Sequence, residues 1–134
     1  GRALVGEAGA LLTQVLYTKQ NTARRFVVVD AAMNDLIRPS LYDAYHPILP
    51  LEKARGQATP VRVDVVGPVC ESSDFLAVMN AGAYGFSMAS NYNSRPLAAE
   101  VLVRDNTYFL IRERQALEDL IRGEHVPTFL RDEG

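Results

Sequence analysis

The stretch Leu11-Leu12-Thr13-Gln14-Val15-Leu16-Tyr17-Thr18-Lys19-Gln20-Asn21-Thr22-Ala23-Arg24-Arg25-Phe26-Val27-Val28-Val29-Asp30 decides the fold class of this chain. Residues 11–17 and 26–30 read as strands, because Phe26-Val27-Val28-Val29 is a short β-branched run bounded by polar residues. The polar residues 18–25 between them read as a hairpin-like connection. Further along, Val61-Arg62-Val63-Asp64-Val65-Val66 alternates as a half-buried strand should, and Gly67-Pro68 stops it just before Cys70. Residues 101–103 and 107–111 form a hairpin around Asp105-Asn106, a good turn pair.

Helical signals are sparse. Residues 36–45 can hold one helical turn ahead of His46-Pro47, and residues 51–60 read as a loop. Residues 114–122 place Leu117, Leu120 and Ile121 at helical spacing, with Gly123 as the stop. That stripe is expected to pack into the core rather than to bind a partner. Strands recur without long intervening helices, so the chain reads as a mainly β domain with one carboxy-terminal helix.

At 134 residues the chain is one domain, or part of a larger one. Apolar residues make up 48% and charged residues 22%, a globular balance, and a net charge of −2 points to neither nucleic acid nor an anionic membrane as partner. No apolar run approaches the roughly 20 residues of a membrane span, and no signal-like segment opens the chain, so a cytoplasmic location is expected. The single cysteine, Cys70, excludes an internal disulfide framework and agrees with a reducing compartment. His46 and His125 stand far apart in sequence, so no metal site is expected.

A second stretch, Ala81-Gly82-Ala83-Tyr84-Gly85-Phe86-Ser87-Met88-Ala89-Ser90-Asn91-Tyr92-Asn93-Ser94-Arg95-Pro96, is rich in small residues. It reads either as a ligand-contacting turn, with Tyr84 between two glycine-permitted bends, or as a tight corner of a β-barrel. Cys70 follows a strand and a Gly-Pro bend. It reads either as a small buried hydrophobe or, beside Glu71, Ser72 and Ser73, as a proton donor in a polar pocket. Arg38 precedes Pro39, which biases it toward an extended backbone. A guanidinium fixed this way suits bidentate carboxylate recognition, although a surface position is the common fate of any one arginine. Tyr42 lies four residues on, on the same face if the segment is helical. Arg62, Arg104, Arg112, Arg114 and Arg122 read as solvated.

Three phrases then carry a resemblance: Asp35-Leu36-Ile37-Arg38-Pro39-Ser40-Leu41-Tyr42-Asp43-Ala44-Tyr45-His46, Gly67-Pro68-Val69-Cys70-Glu71-Ser72, and the run 81–96. Together, and in this order, they resemble the carboxy-terminal β-domain of the diaminopimelate decarboxylase family over nearly the whole chain. The resemblance implies a Greek-key-like β-barrel or sandwich domain with a carboxy-terminal helix, partner of a (β/α)8 barrel that this chain lacks. It also implies pyridoxal 5'-phosphate as electron sink and a homodimer whose active sites are completed across the interface. The implied reaction is decarboxylation of the small amino-acid substrate meso-2,6-diaminopimelate to L-lysine and carbon dioxide.

By the same resemblance, Cys70 is the proton donor, and Glu71 reads the distal ammonium from the partner subunit. Arg38 and Tyr42 hold the distal carboxylate, Tyr84 touches both cofactor and substrate, and Arg2 belongs to a substrate-binding Glu-Pro-Gly-Arg element of which only Gly1-Arg2 is present. Two departures stand out. The only lysines, Lys19 and Lys53, lie in no motif fit for a Schiff base, so the chain alone is expected to be inactive, a fragment comprising residues 1–134. The family carries a further loop between the positions of Ala77 and Val78, so residues are expected to be missing at that junction. Two other readings are a related ornithine, arginine or polyamine-precursor decarboxylase and a non-catalytic dimerising domain.

Overall fold

A computed structural model describes residues 2–52, 62–67 and 75–131, which divide into two units, Gly1–Ser90 and Asn91–Gly134. The first unit contains a short helix α1 (Arg2–Val5), then β1 (Leu11–Gln20), β2 (Arg25–Val29), α2 (Arg38–Tyr42), β3 (Ile48–Pro50), β4 (Asp64–Val66) and β5 (Phe75–Val78). Its five strands form one sheet in the order β3-β5-β1-β2-β4. The mainly β class is as the sequence predicts, and the sheet curls as half a barrel.

The curl follows from how β1 is used. Its first four residues pair antiparallel with β5, from Leu11 opposite Val78 to Gln14 opposite Phe75. From Val15 onward it pairs with β2 on its other side, and a bulge between Val15 and Tyr17 marks the change. A bulge bends its strand and raises the local twist, so β1 turns the sheet at this point. Asp30 and Thr13 pin the bend. The Thr13 hydroxyl, almost fully buried, donates to the Asp30 carboxylate at 2.5 Å and accepts from the Ala31 N–H at 3.0 Å. The Gln14 N–H donates to the same carboxylate oxygen at 2.9 Å, and the buried Thr13 hydroxyl is satisfied as both donor and acceptor. Val15, Val28, Val29, Leu36, Ala77, Val78 and Ala83 form the apolar core.

The hairpin between β1 and β2 is tighter than its sequence suggests. β1 continues to Gln20, and the turn is closed by the Asn21 side chain, whose carbonyl accepts the N–H groups of Ala23 and Arg24 at 2.9 and 2.7 Å. β4 is parallel to β2 and shorter than the alternating run, and residue 61 lies outside the described residues. Two strands, β3 and β5, had no strand signal. β3 is an edge strand that tolerates Pro50, while β5 is four apolar residues without alternation, two of them buried. Ala77 and Val78 are consecutive residues of β5, opposite Leu12 and Leu11 on one side and Leu49 and Ile48 on the other.

The second unit is a hairpin, β6 (Glu100–Arg104) paired antiparallel with β7 (Thr107–Arg112), followed by α3 (Leu117–Leu120). Asp105 makes the turn at φ 54°, as the Asp105-Asn106 pair predicts. The carboxy-terminal helix is a single turn, shorter than its spacing suggests. Gln115 is held in the preceding segment: its N–H donates to Leu97 O at 3.1 Å and its side-chain carbonyl accepts the Leu97 N–H at 3.0 Å. The helix therefore begins only after Ala116, whose N–H is capped by the Asp119 carboxylate at 3.0 Å. Leu117 and Ile121 are exposed within this unit, which corrects the expectation that they pack into the core.

Candidate functional site

Arg38 is the center of the site. Turn residues 32–36 lead into it, held by the Asp35 N–H donating to Ala32 O at 3.0 Å and the Ala32 N–H donating back to the Asp35 carboxylate at 2.9 Å. Arg38 then opens α2, which corrects the expectation of an extended backbone there. Pro39 sits in the first turn, where a missing N–H costs nothing, and Asp43 closes the helix at φ 51° with its N–H donating to Arg38 O. The helix buries Arg38 and sets Tyr42 four residues on, over the same face.

The guanidinium carbon of Arg38 lies 5.3 Å from the Tyr42 ring centroid and 5.5 Å from that of Tyr84. Two aromatic faces thus flank one cation. Among the described residues no carboxylate pairs with Arg38, and its Nε has no hydrogen-bond partner. A buried permanent charge without a counter-ion is costly, so the arrangement is suited to receive an anion. The fork offers planar, bidentate donation to a carboxylate, with two phenols at its edges.

Tyr84 reaches Arg38 by way of a strained turn after β5. Asn80 and Tyr84 take φ of 62° and 61°, in the left-handed region that L side chains seldom occupy. The bend therefore falls on Tyr84 itself, while the next residue, Gly85, has φ −68°. The glycines serve a different purpose from the one expected. A Cβ on Gly82 would stand 2.2 Å from Val5 O, and one on Gly9 would stand 2.8 Å from the Gly82 Cα. The close approach is between the turn and the segment after α1, fastened by Ala81 N–H to Gly9 O at 2.8 Å and Gly82 N–H to Gly6 O at 3.0 Å. The run 81–96 is also divided between the two units after Ser90.

Of the residues predicted from sequence, Arg38, Tyr42 and Tyr84 come together. Arg2 lies in α1, just before the segment that holds the Tyr84 turn. Cys70 and Glu71 lie outside the described residues. The chain leading toward them is described as far as Gly67, where an added Cβ would stand 3.2 Å from the Ala32 Cβ, beside the turn that leads to Arg38. Sequence reasoning missed His46, a buried imidazole whose Nδ1 lies 2.9 Å from Met79 O. The signal was its place directly after the Arg38–Tyr42 motif, but one histidine without a partner at metal spacing carries no chemistry by itself.

Among the described residues there is no cluster of three or more His, Cys, Asp or Glu side chains able to hold a metal, and no helix is long and apolar enough to cross a membrane. A separate cleft at the β1–β2 turn is lined by Arg24, Arg25, Arg62 and Asp64. There Arg24 is already paired with Asp64 at 3.3 Å.

A model of the family described as pyridoxal-dependent decarboxylase, C-terminal sheet domain, matches residues 4–83. The chain is 49% identical to a diaminopimelate decarboxylase of Zymomonas mobilis, over 97% of this chain and 34% of that protein. That alignment runs over 145 residues, more than the 134 of this chain, so the relative carries residues without a counterpart here. Among solved structures, the diaminopimelate decarboxylase of Helicobacter pylori complexed with L-lysine superposes with a TM-score of 0.78 at 47% identity, covering 91% of this chain and 33% of that one. The enzyme of M. jannaschii in co-complex with L-lysine gives 0.85 at 39% identity, covering 97% and 33%. The chain spans about a third of the length of the relatives it matches. With more than half its residues inside the family match, the chain belongs to the C-terminal sheet domains of the pyridoxal-dependent decarboxylases.

Proposed function

We propose that this chain is the carboxy-terminal β-domain, residues 1–134, of an enzyme that decarboxylates meso-2,6-diaminopimelate to L-lysine and carbon dioxide. The observation that carries the reading is the buried guanidinium of Arg38 between Tyr42 and Tyr84, which pairs with no carboxylate among the described residues. A diamine-forming decarboxylase of ornithine type meets a substrate ending in an ammonium alone. Diaminopimelate ends in an ammonium and a carboxylate, so its site needs a cation as well as an anion.

In this reading Arg38 and Tyr42 hold the distal carboxylate, and Glu71 pairs with the distal ammonium. Arg2 supports the substrate from the start of the chain. Cys70 delivers a proton to the substrate carbon from which carbon dioxide has left. Pyridoxal 5'-phosphate, when bound, supplies the electron sink for the carbanion. The fit of this chain to that group rests on Tyr84, whose half-exposed phenol stands beside a guanidinium and so suits a planar anionic partner.

The cofactor-bearing lysine belongs to a (β/α)8 barrel domain of the same protein, which also supplies the rest of the active site. Lys19, exposed in β1, has no such role, and the chain alone is inactive. The active site is shared across a cytoplasmic homodimer. The Zymomonas mobilis protein carries residues without a counterpart in this chain, and in this reading they fall at the Ala77–Val78 junction.

The test is release of L-lysine and carbon dioxide from meso-diaminopimelate by the full-length protein, with ornithine as competitor. Turnover of diaminopimelate in preference to ornithine supports the reading. Turnover of ornithine alone, or of neither, overturns it.

A further inference from the structure

We infer that His46 is a positioning residue that sets the Tyr84 turn against the Arg38 helix. The inference rests on the function proposed above and deepens it. Met79 O can only accept, so the Nδ1 of His46 donates to it across 2.9 Å. The neighbouring backbone closes the same brace in the opposite sense, with the Met79 N–H donating to Pro47 O at 2.8 Å. The two bonds join the chain that follows α2 to the last residue of the chain before the left-handed Asn80.

The position of this brace gives it leverage. On one side, Asp43 caps α2 in the left-handed region, so His46 lies four residues beyond Tyr42, the last residue of the helix that carries Arg38. On the other, Asn80 and Tyr84 both hold positive φ, and strained turns persist only where their surroundings over-determine them. Among the described residues, the imidazole makes the one side-chain hydrogen bond to residues 79–85. Besides the Met79–Pro47 backbone bond, Ala81 and Gly82 bond to Gly9 and Gly6, which ties the turn to the start of the chain, not to α2. His46 therefore adds the side-chain part of the brace that holds the segment after α2 against the start of the Tyr84 turn.

The tautomer follows. With the Nδ1 proton committed to Met79, the neutral ring leaves Nε2 as a bare acceptor, and this atom is buried without a hydrogen-bond partner among the described residues. Among the described residues, only one end of the ring is used. An asparagine amide overlays the Nδ1 end of an imidazole and can make the same donation, whereas a glutamine amide overlays the Nε2 end and cannot.

The experiment compares H46N, H46Q and H46L in the full-length enzyme by steady-state kinetics with meso-diaminopimelate and by amide hydrogen exchange over residues 79–85. H46N is expected to stay within about threefold of the parent in kcat/KM, while H46Q and H46L fall by roughly tenfold or more with faster exchange at 79–85. The loss should appear chiefly in KM, because the brace orients a binding group. H46Q or H46L with parental kinetics and exchange overturns the inference, as does an H46N as impaired as H46L. If H46L does not fold, the contrast between H46N and H46Q decides. If the parent does not turn over diaminopimelate, the proposed function fails while the exchange comparison still tests the brace.

Discussion

The guanidinium of Arg38 lies 5.5 Å from the centroid of the Tyr84 ring although 46 positions separate them in the chain. One comes from a helix, the other from a left-handed corner. Their meeting makes a cationic, aromatic-walled recess out of two unrelated local structures.

Arg38→Lys tests the recess. Lysine keeps the charge but loses the planar fork that matches a carboxylate, so kcat/KM for diaminopimelate in the full-length enzyme should fall by about a hundredfold or more. Parental activity in steady-state assays would show that Arg38 does not bind the distal carboxylate.

Tyr84→Gly separates strain from contact. Glycine accepts φ 61° without the roughly 1–2 kcal/mol that a side chain costs there, but loses the ring beside Arg38. The variant should unfold within a few degrees of the parent while losing most of its activity. A large drop in thermal midpoint would mean that the ring is chiefly structural.

Gly82→Ala should do the reverse. Its Cβ would meet Val5 O at 2.2 Å, and overpacking of this kind costs about 1–3 kcal/mol. Faster amide exchange at Ala81 and Gly82, with activity falling alongside, is expected. An unperturbed exchange pattern would contradict the close approach.

Thr13→Val removes the buried hydroxyl that links Asp30 and Ala31 at the bend of β1, a loss of two hydrogen bonds to partly exposed groups that should cost about 1 kcal/mol. Exchange should quicken locally in β1 and β2. Thr13→Ser, which keeps the hydroxyl, should restore most of the protection.

Cys70→Ala should lower kcat far more than it weakens substrate binding, because a proton donor acts chiefly in the transition state. An unchanged turnover number would remove Cys70 from the mechanism.

Much of the sheet was legible in the sequence because β1, β2 and the β6–β7 hairpin carry β-branched or alternating patterns that local sterics reward. β3 and β5 were not, since three or four residues hold too little pattern and their strand character comes from pairing, β5 with β1 and β3 with β5. Arg38 and Tyr42 could be read as one face from their spacing alone. That Tyr84 would join them required the turn's packing against Gly6 and Gly9, a contact between distant segments that no local pattern encodes. His46 stayed hidden for the same reason, its partner being a main-chain oxygen of Met79.

The division of β1 between two partners has a kinetic consequence. Its pairing with β2 closes a short hairpin, whereas its pairing with β5 must bring Leu11 to Val78 and waits on a long loop. Tyr84 follows immediately behind β5. The recess between Arg38 and Tyr84 is therefore expected to assemble late in the folding of this unit. Pulsed hydrogen exchange should find residues 79–85 protected after β1 and β2, and simultaneous protection would refute that order.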